Sequence, residues 1–239
     1  MRYGSGFGNY VSAEEKKAKA AKSLSKLKKK DALVEPVIIE GRTLAKSWWG
    51  KAWNTNLESY ADYSNRIDRG KAYVRSNAVL DLKITDGEVH ARVQGSRAKP
   101  YEVKISIDAL DEKKWKKVTE LCNNRIGSLE ELVEGKFPKE LEVLFTDRKY
   151  GMFPSPKEIH FDCSCPDWAS MCKHVAATLY GVGARLDKDP MLFFVLRGLD
   201  GQELIRKSME SKIESMLKNA GKKSRREIAE KDIAGLFKL

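Results

Sequence analysis

The 239-residue sequence predicts an α+β fold: an antiparallel sheet with packed helices, followed by a small strand-turn-helix unit and C-terminal helices. Three patterns carry this. Apolar and polar residues alternate between Val79 and Ile107, the period of half-buried strands. Apolar residues recur at three- and four-residue steps before and after that region, the period of helices packed on one side. Finally, three of the four cysteines and one of the three histidines fall within the stretch Cys163 to His174.

Taken in order, Gly4, Gly6 and Gly8 open the chain among aromatics, a composition that cannot bury a core and predicts a mobile start. Ala13 to Lys30 is rich in Ala, Glu, Leu and Lys, all good helix formers. Ser12 and Glu15 have the spacing of a capping box, and Glu14 and Glu15 lie where the helix dipole favours anions. Ala45 to Tyr63 reads as a helix through Trp48, Trp49, Ala52, Trp53, Leu57 and Tyr60. That aromatic stripe suits core packing, although tryptophans this dense also suit base stacking.

A meander follows. Ala72 to Arg75 reads as a first strand, and Leu80, Leu82 and Ile84 share one face of the next. Asp86-Gly87 is a favoured hairpin dipeptide, after which Val89, Ala91 and Val93 continue the alternation. Pro100 precedes Tyr101, Val103, Ile105 and Ile107, completing an antiparallel sheet with one wet face. Helical patterns return at Asp111 to Cys122, Leu129 to Val133 and Leu141 to Phe145, with a break at Phe137-Pro138. Cys122 falls in step with Trp115 and Val118, as a buried, inert thiol would. The apolar run Met191 to Leu196, a turn at Gly198 to Gly201 and an amphipathic helix from Leu204 to Leu217 close the pattern.

The formal net charge is +11. Residues 1–40 carry nine basic and five acidic side chains, and residues 212–239 carry eight and four. Residues 151–211 carry seven and eight, a net −1. A basic balance of this kind points to an acidic partner, nucleic acid first. Candidate contacts are Lys28, Lys29 and Lys30 in the first arm, and Lys222, Lys223, Arg225 and Arg226 in the last. Arg75, Lys83, Arg92 and Lys104, at polar-facing strand positions, would form a basic sheet face, interrupted by Asp81, Glu88 and Glu102.

Several classes are excluded. No stretch approaches the roughly 18 consecutive apolar residues of a membrane span, and the N-terminus lacks an apolar signal region. Four cysteines are too few for a disulfide scaffold. These features predict a cytoplasmic protein with no membrane contact. No Walker A, G-x-S-x-G or nucleophile–base set is present, so no enzymatic activity is expected.

The cysteine–histidine cluster has the spacing C-x-C-x6-C-x-H. Three thiolates and an imidazole complete a tetrahedral zinc shell, the mark of one structural Zn²⁺. Cys163 and Cys165 are too close in sequence for an easy disulfide. Residues two apart in a straight strand are nearly 7 Å apart, whereas sulfurs on one zinc are about 3.8 Å apart. The chain must therefore bend at Ser164, with Pro166 ending the strand. Val175, Ala176, Leu179 and Tyr180 begin a helix face, which puts Cys172 at a helix N-terminus where the thiolate is favoured. His160 alternates with Ile159 and Phe161, and His90 is likewise a strand residue; both read as solvent-facing.

This spacing, with a strand before it and an apolar helix after it, resembles the SWIM-type zinc finger over Glu158 to Tyr180. Upstream, Glu40-Gly41-Arg42, Trp48-Trp49-Gly50-Lys51-Ala52-Trp53, Leu57-Glu58-Ser59-Tyr60, Arg69-Gly70 and Val93-Gln94-Gly95-Ser96 are similar to prokaryotic SWIM zinc finger proteins. The resemblance covers about residues 40–200. It implies a DNA-binding or protein-interaction module associated with a helicase-like ATPase, with Cys163, Cys165, Cys172 and His174 as ligands and no catalytic residue. The organisation expected is a basic arm over 1–39, an α+β domain over 40–150, the zinc finger region over 151–200, and a C-terminal helix with basic tail over 201–239. Because the finger segment is not itself basic, the zinc unit reads as a structural clip or a partner-docking surface, with the arms and sheet face supplying cations to DNA. The competing expectation is a protein-interaction adaptor that makes no direct nucleic-acid contact.

Overall fold

The computed structural model describes residues 11–60, 64–122, 125–126, 128–169 and 171–220. Among them, the chain runs α1 (Ala13–Lys30), α2 (Trp48–Glu58), α3 (Ser64–Arg75), β1 (Val79–Thr85), β2 (Glu88–Val93) and β3 (Tyr101–Ile107). It continues through α4 (Glu112–Cys122), α5 (Leu129–Glu134), α6 (Lys139–Thr146), β4 (Ile159–Cys163), α7 (Lys173–Leu186), α8 (Met191–Leu196) and α9 (Gly201–Ala220). The class is the α+β arrangement expected. All strand pairs are antiparallel, in the order β1-β2-β3-β4.

Membership of the sheet differs from the sequence reading in one respect. Residues Ala72 to Arg75 are the last turn of α3, not a strand. Four residues of alternation cannot outweigh a helical period, and Ile67, Gly70 and Val74 form the buried stripe of that helix. The fourth strand is β4, from the cysteine-bearing segment, which pairs with β3 from Val103↔Cys163 to Ile107↔Ile159. The sheet is thus continuous across the position between residues 150 and 151. Residue Leu80 is the extra residue of a bulge in β1, where pairing passes from Val79↔Val93 to Asp81↔Arg92.

One face of the sheet, including Leu82, Val89, Ala91, Val103, Ile105 and Ile159, packs on the helices. The centre of that layer is α7, buried from His174 through Gly183. It lies so close to α3 that a Cβ on Gly70 would sit 2.5 Å from the Ala176 Cβ and 2.9 Å from its carbonyl carbon. Polar ties join α7 and α3 to α2: the Tyr180 hydroxyl donates to Glu58 Oε1 at 2.7 Å, and Lys71 Nζ lies 2.8 Å from that oxygen. The tryptophan stripe is core. Trp49 and Trp53 are fully buried, their indole N–H groups donating to the Leu132 and Leu179 carbonyls, each at 2.8 Å. Trp48 packs edge-on against Phe137 at 4.8 Å. Cys122 is buried, with its thiol pushed up to about 12 by burial, an unreactive side chain as its helical step suggested.

The first helix carries the capping box: Glu15 N–H donates to Ser12 Oγ and Ser12 N–H to Glu15 Oε2. Buried Ala20 packs α1 on the body, and Lys19 Nζ donates to the Ser96 carbonyl at 2.6 Å. A buried guanidinium links the far end of the sheet to α8. Arg197 donates to the Asp108 carbonyl at 2.6 Å and to Glu158 Oε1 at 2.7 Å. No helix among the described residues is long and apolar enough to cross a membrane.

Two outcomes are expected. Gly70→Ala should lower stability by about 1–2 kcal/mol in urea unfolding, because overpacking against the Ala176 backbone outweighs the roughly 1 kcal/mol helix-propensity gain. Burial pushes the Glu158 carboxyl up, but Ser155 and Arg197 together draw it below its usual value. Its contribution is therefore complete above about pH 4.5 and lost as pH falls through the lowered folded value. Glu158→Gln should flatten that acid limb of stability, read as the unfolding midpoint against pH.

Candidate metal centre

The four sequence-predicted ligands converge from two elements and the turn between them. Cys163 is the last residue of β4, the chain bends from Ser164 to Pro166, and Cys165 sits within the bend. Two hydrogen bonds hold the bend to β3: Ser164 N–H donates to the Glu102 carbonyl at 3.0 Å, and Glu102 N–H to Ser164 Oγ at 2.9 Å. The loop beyond is tied by Arg66 to Asp167 at 3.4 Å and by Ala169 N–H to the same carboxylate at 3.3 Å. Cys172 is the N-cap residue of α7 and His174 lies in its first turn, both buried.

One ligand atom from each of Cys163, Cys165, Cys172 and His174 lies within 4.8 Å of all the others. The His174 Nδ1 is 3.7 Å from Cys172 Sγ and 3.9 Å from Cys163 Sγ. A tetrahedron with zinc bond lengths has S···N edges of about 3.6 Å and S···S edges of about 3.8 Å, so the residues fit a single metal ion. Their acid–base state points the same way. Hydrogen bonding from the Cys163 thiol leads the effects that pull Cys172 down to about 3, and His174 and the Val175 N–H of the first helical turn add to it. Cys163, holding its proton against that thiolate and partly buried, is pushed well up, and burial raises Cys165 too. Packed this closely, three sulfurs cannot all ionise unless a cation lies among them, which is what a metal supplies.

The histidine is oriented by packing. Tyr101 lies against its ring at 4.3 Å and Tyr73 meets it edge-on at 5.4 Å. A Cβ on Gly95 would fall 2.8 Å from His174 Nε2 and 2.4 Å from Tyr101 Cε2, so only glycine leaves room for this ring. Tyr73, Gly95 and Tyr101 were not picked out as site residues from sequence. Gly95 lies in the Val93 to Ser96 stretch that carries the family resemblance, but nothing in its local pattern gives the reason. The two other histidines stay apart from the cluster: His90 and His160 are exposed on the wet face, beside Glu88 at 2.9 Å and Asp108 at 3.0 Å.

The cations named from sequence do not form one surface. Lys28, Lys29 and Lys30 are exposed at the end of α1. Arg75 is not on the sheet face but ends α3, donating to the Arg42 carbonyl at 3.4 Å. On the sheet, Arg92 pairs with Asp81 at 2.7 Å and Asp31 at 2.8 Å, and Lys104 with Glu88 at 2.7 Å. Lys83 is half-buried in the same face. Lys222, Lys223, Arg225 and Arg226 lie outside the described residues. A groove between α1 and the β2–β3 connection is lined by Lys26, Lys30, Arg92 and Lys99.

Among known proteins, the chain is similar to a protein of Mycobacterium tuberculosis described as "Uncharacterized protein Rv2102", 35% identical over 163 residues. The match covers 68% of this chain and 58% of that relative, so the chain spans less than two thirds of the relative's length. No family model matches the sequence, and no solved structure matches it.

The centre predicts one bound divalent metal per chain, measurable by elemental analysis of the purified protein. Cys172→Ser should reduce that content to near zero and cost at least about 3 kcal/mol, a fall of roughly 6–12 °C in Tm. An unchanged Tm with no metal bound would refute a structural role.

Proposed function

We propose that the chain is a SWIM-type zinc finger protein that binds DNA as a non-enzymatic accessory of a helicase-like ATPase. The observation that carries this reading is the Cys163, Cys165, Cys172 and His174 cluster, with the C-x-C-x6-C-x-H spacing of the resemblance. Three soft thiolates with one imidazole favour zinc over harder cations. Four protein ligands fill a tetrahedral shell and leave no position for a water, so the metal's chemistry is structural. It fastens the end of the sheet to the start of α7.

The DNA part of the reading is supported by charge brought to the finger from other segments. Arg66 of α3 reaches Asp167 in the metal loop, and the Arg97 guanidinium lies over Tyr101, 5.7 Å from the ring centroid, while Tyr101 packs on His174. Lys19 of α1 holds the adjacent Ser96 carbonyl. From there the cationic groove of Lys26, Lys30 and Lys99 leads to the exposed Lys28 and Lys29. Lys99 is shared with Glu102 at 3.6 Å, but the exposed lysines at the end of α1 can neutralise phosphates and supply sequence-independent affinity. The second reading, a protein-interaction adaptor, is favoured by α9, where Met209, Ile213, Met216 and Leu217 are exposed at helical spacing. The ATPase contact would fall there without excluding DNA from the opposite end of the chain.

Duplex DNA affinity should fall steeply with salt, and replacing Lys28, Lys29 and Lys30 together by Ala should make the slope of log affinity against log salt shallower by about 2–3. No measurable binding at about 50 mM salt would sink the DNA reading and leave the adaptor.

A further inference from the structure

Of the five tryptophans, Trp49, Trp53 and Trp115 are buried and Trp48 is packed against the core. The fifth, Trp168, is 96% exposed. It occupies the loop between the second and third metal ligands, Cys165 and Cys172. A single exposed apolar side chain needs no explanation by itself; its setting is what matters here. The loop is fixed at both ends by ligand positions and in the middle by the Arg66–Asp167 pair and the Ala169 N–H bond. The indole is therefore presented on a held loop, not on a tail.

The flank of this loop is a cationic helix stripe. Arg66, Arg69 and Tyr73 are spaced three and four apart on α3, which puts them on one face. The first of them reaches Asp167 and the last packs on His174. Arg69, exposed between them on the same face, lies one turn along α3 from the Arg66 that reaches the loop. Lys173 follows Cys172 at the loop's end.

A protein-docking hot spot needs an apolar surround that excludes water. Among the described residues of the metal loop, Trp168 is the one exposed large hydrophobic side chain. A nucleobase needs less: one π face to stack on and cations to hold its phosphates. The wet sheet face has the charges but places His90 and His160, not Trp, Tyr or Phe, among its exposed residues. Resting on the nucleic-acid reading above, we propose that Trp168 is a stacking platform for an unpaired base, with Arg69 and Lys173 holding the flanking phosphates. The occupant is single-stranded nucleic acid, such as a strand separated from its duplex. The stacking chemistry is common to DNA and RNA.

The test uses the full-length, metal-loaded protein with oligothymidine, oligouridine and a duplex, each of about 15 nucleotides per strand. Because the other tryptophans are buried or packed, emission quenching by an oligonucleotide reports mainly on Trp168. Single strands should quench the emission. Trp168→Ala should abolish that change and weaken single-strand binding roughly 5- to 150-fold, the equivalent of about 1–3 kcal/mol for one stacked base. Duplex affinity should change less than about twofold, since its phosphate contacts remain. Trp168→Phe keeps a π face and should restore most of the affinity, separating a stacking loss from any loss of fold. Tighter binding of oligothymidine or of oligouridine identifies which nucleic acid the platform favours. Single-strand binding unchanged in Trp168→Ala, with no quenching in the unsubstituted protein, would overturn the platform while leaving the DNA reading intact. Equal losses on single strand and duplex would overturn it too. No binding of any oligonucleotide at low salt would overturn both.

Discussion

The fold depends on one helix being buried on nearly every side. An ordinary surface helix hides a stripe, but α7 is closed in by α2, α3, α8 and the sheet, from His174 to Gly183. Such a helix must be narrow. Gly183 lies where a Cβ would fall 2.5 Å from Asn54 Oδ1, and Gly181 where it would fall 2.7 Å from Leu82 Cδ1. Ala176 and Ala177 keep the α3 side thin. Because α7 is held so closely, its first turn is a fixed point, and Cys172 and His174 inherit that precision. The metal cluster is thus an outcome of core packing as much as of ligand spacing.

Much of this was legible in the sequence because it is local. The capping box at Ser12 and Glu15, the Asp86-Gly87 turn and the bend after Cys163 are all set within a few residues. The ligand set was readable for the same reason, since all four lie in one short stretch. What escaped was decided at a distance. Tyr73 and Val74 have the side chains of a strand, but the pairing of Gly70 with Ala176 makes that segment a helix. The place of β4 beside β3 joins residues more than 50 positions apart. Gly95, Tyr73 and Tyr101 shape the histidine pocket from three separate elements, and no periodicity marks them.

Charge shows the same division. A census along the chain makes the finger segment slightly acidic, and three thiolates with a divalent metal add a further −1. In space, that segment has Arg66 and Arg97 as neighbours, drawn from α3 and from the β2–β3 connection. Conversely, Arg92 and Lys104, basic by sequence position, are engaged by Asp31, Asp81 and Glu88. Positive surface therefore belongs to α1 more than to the sheet, and at the metal loop Arg66 is likewise engaged, by Asp167.

The position of β4 also bears on how the molecule assembles. Strands β1, β2 and β3 are joined by two and seven residues, whereas β4 returns only after 51. Short-range closures form early and long-range ones late, because the closure entropy must be met before the contacts reward it. The three-stranded meander is then the natural first product, carrying an open edge along β3 that invites pairing with a neighbouring chain. Docking β4 covers that edge and, in the same step, brings Cys163 within reach of Cys172 and His174. Metal capture would in this way latch the last strand in place. A chain that failed to dock β4 would be exposed to aggregation through the open edge of β3.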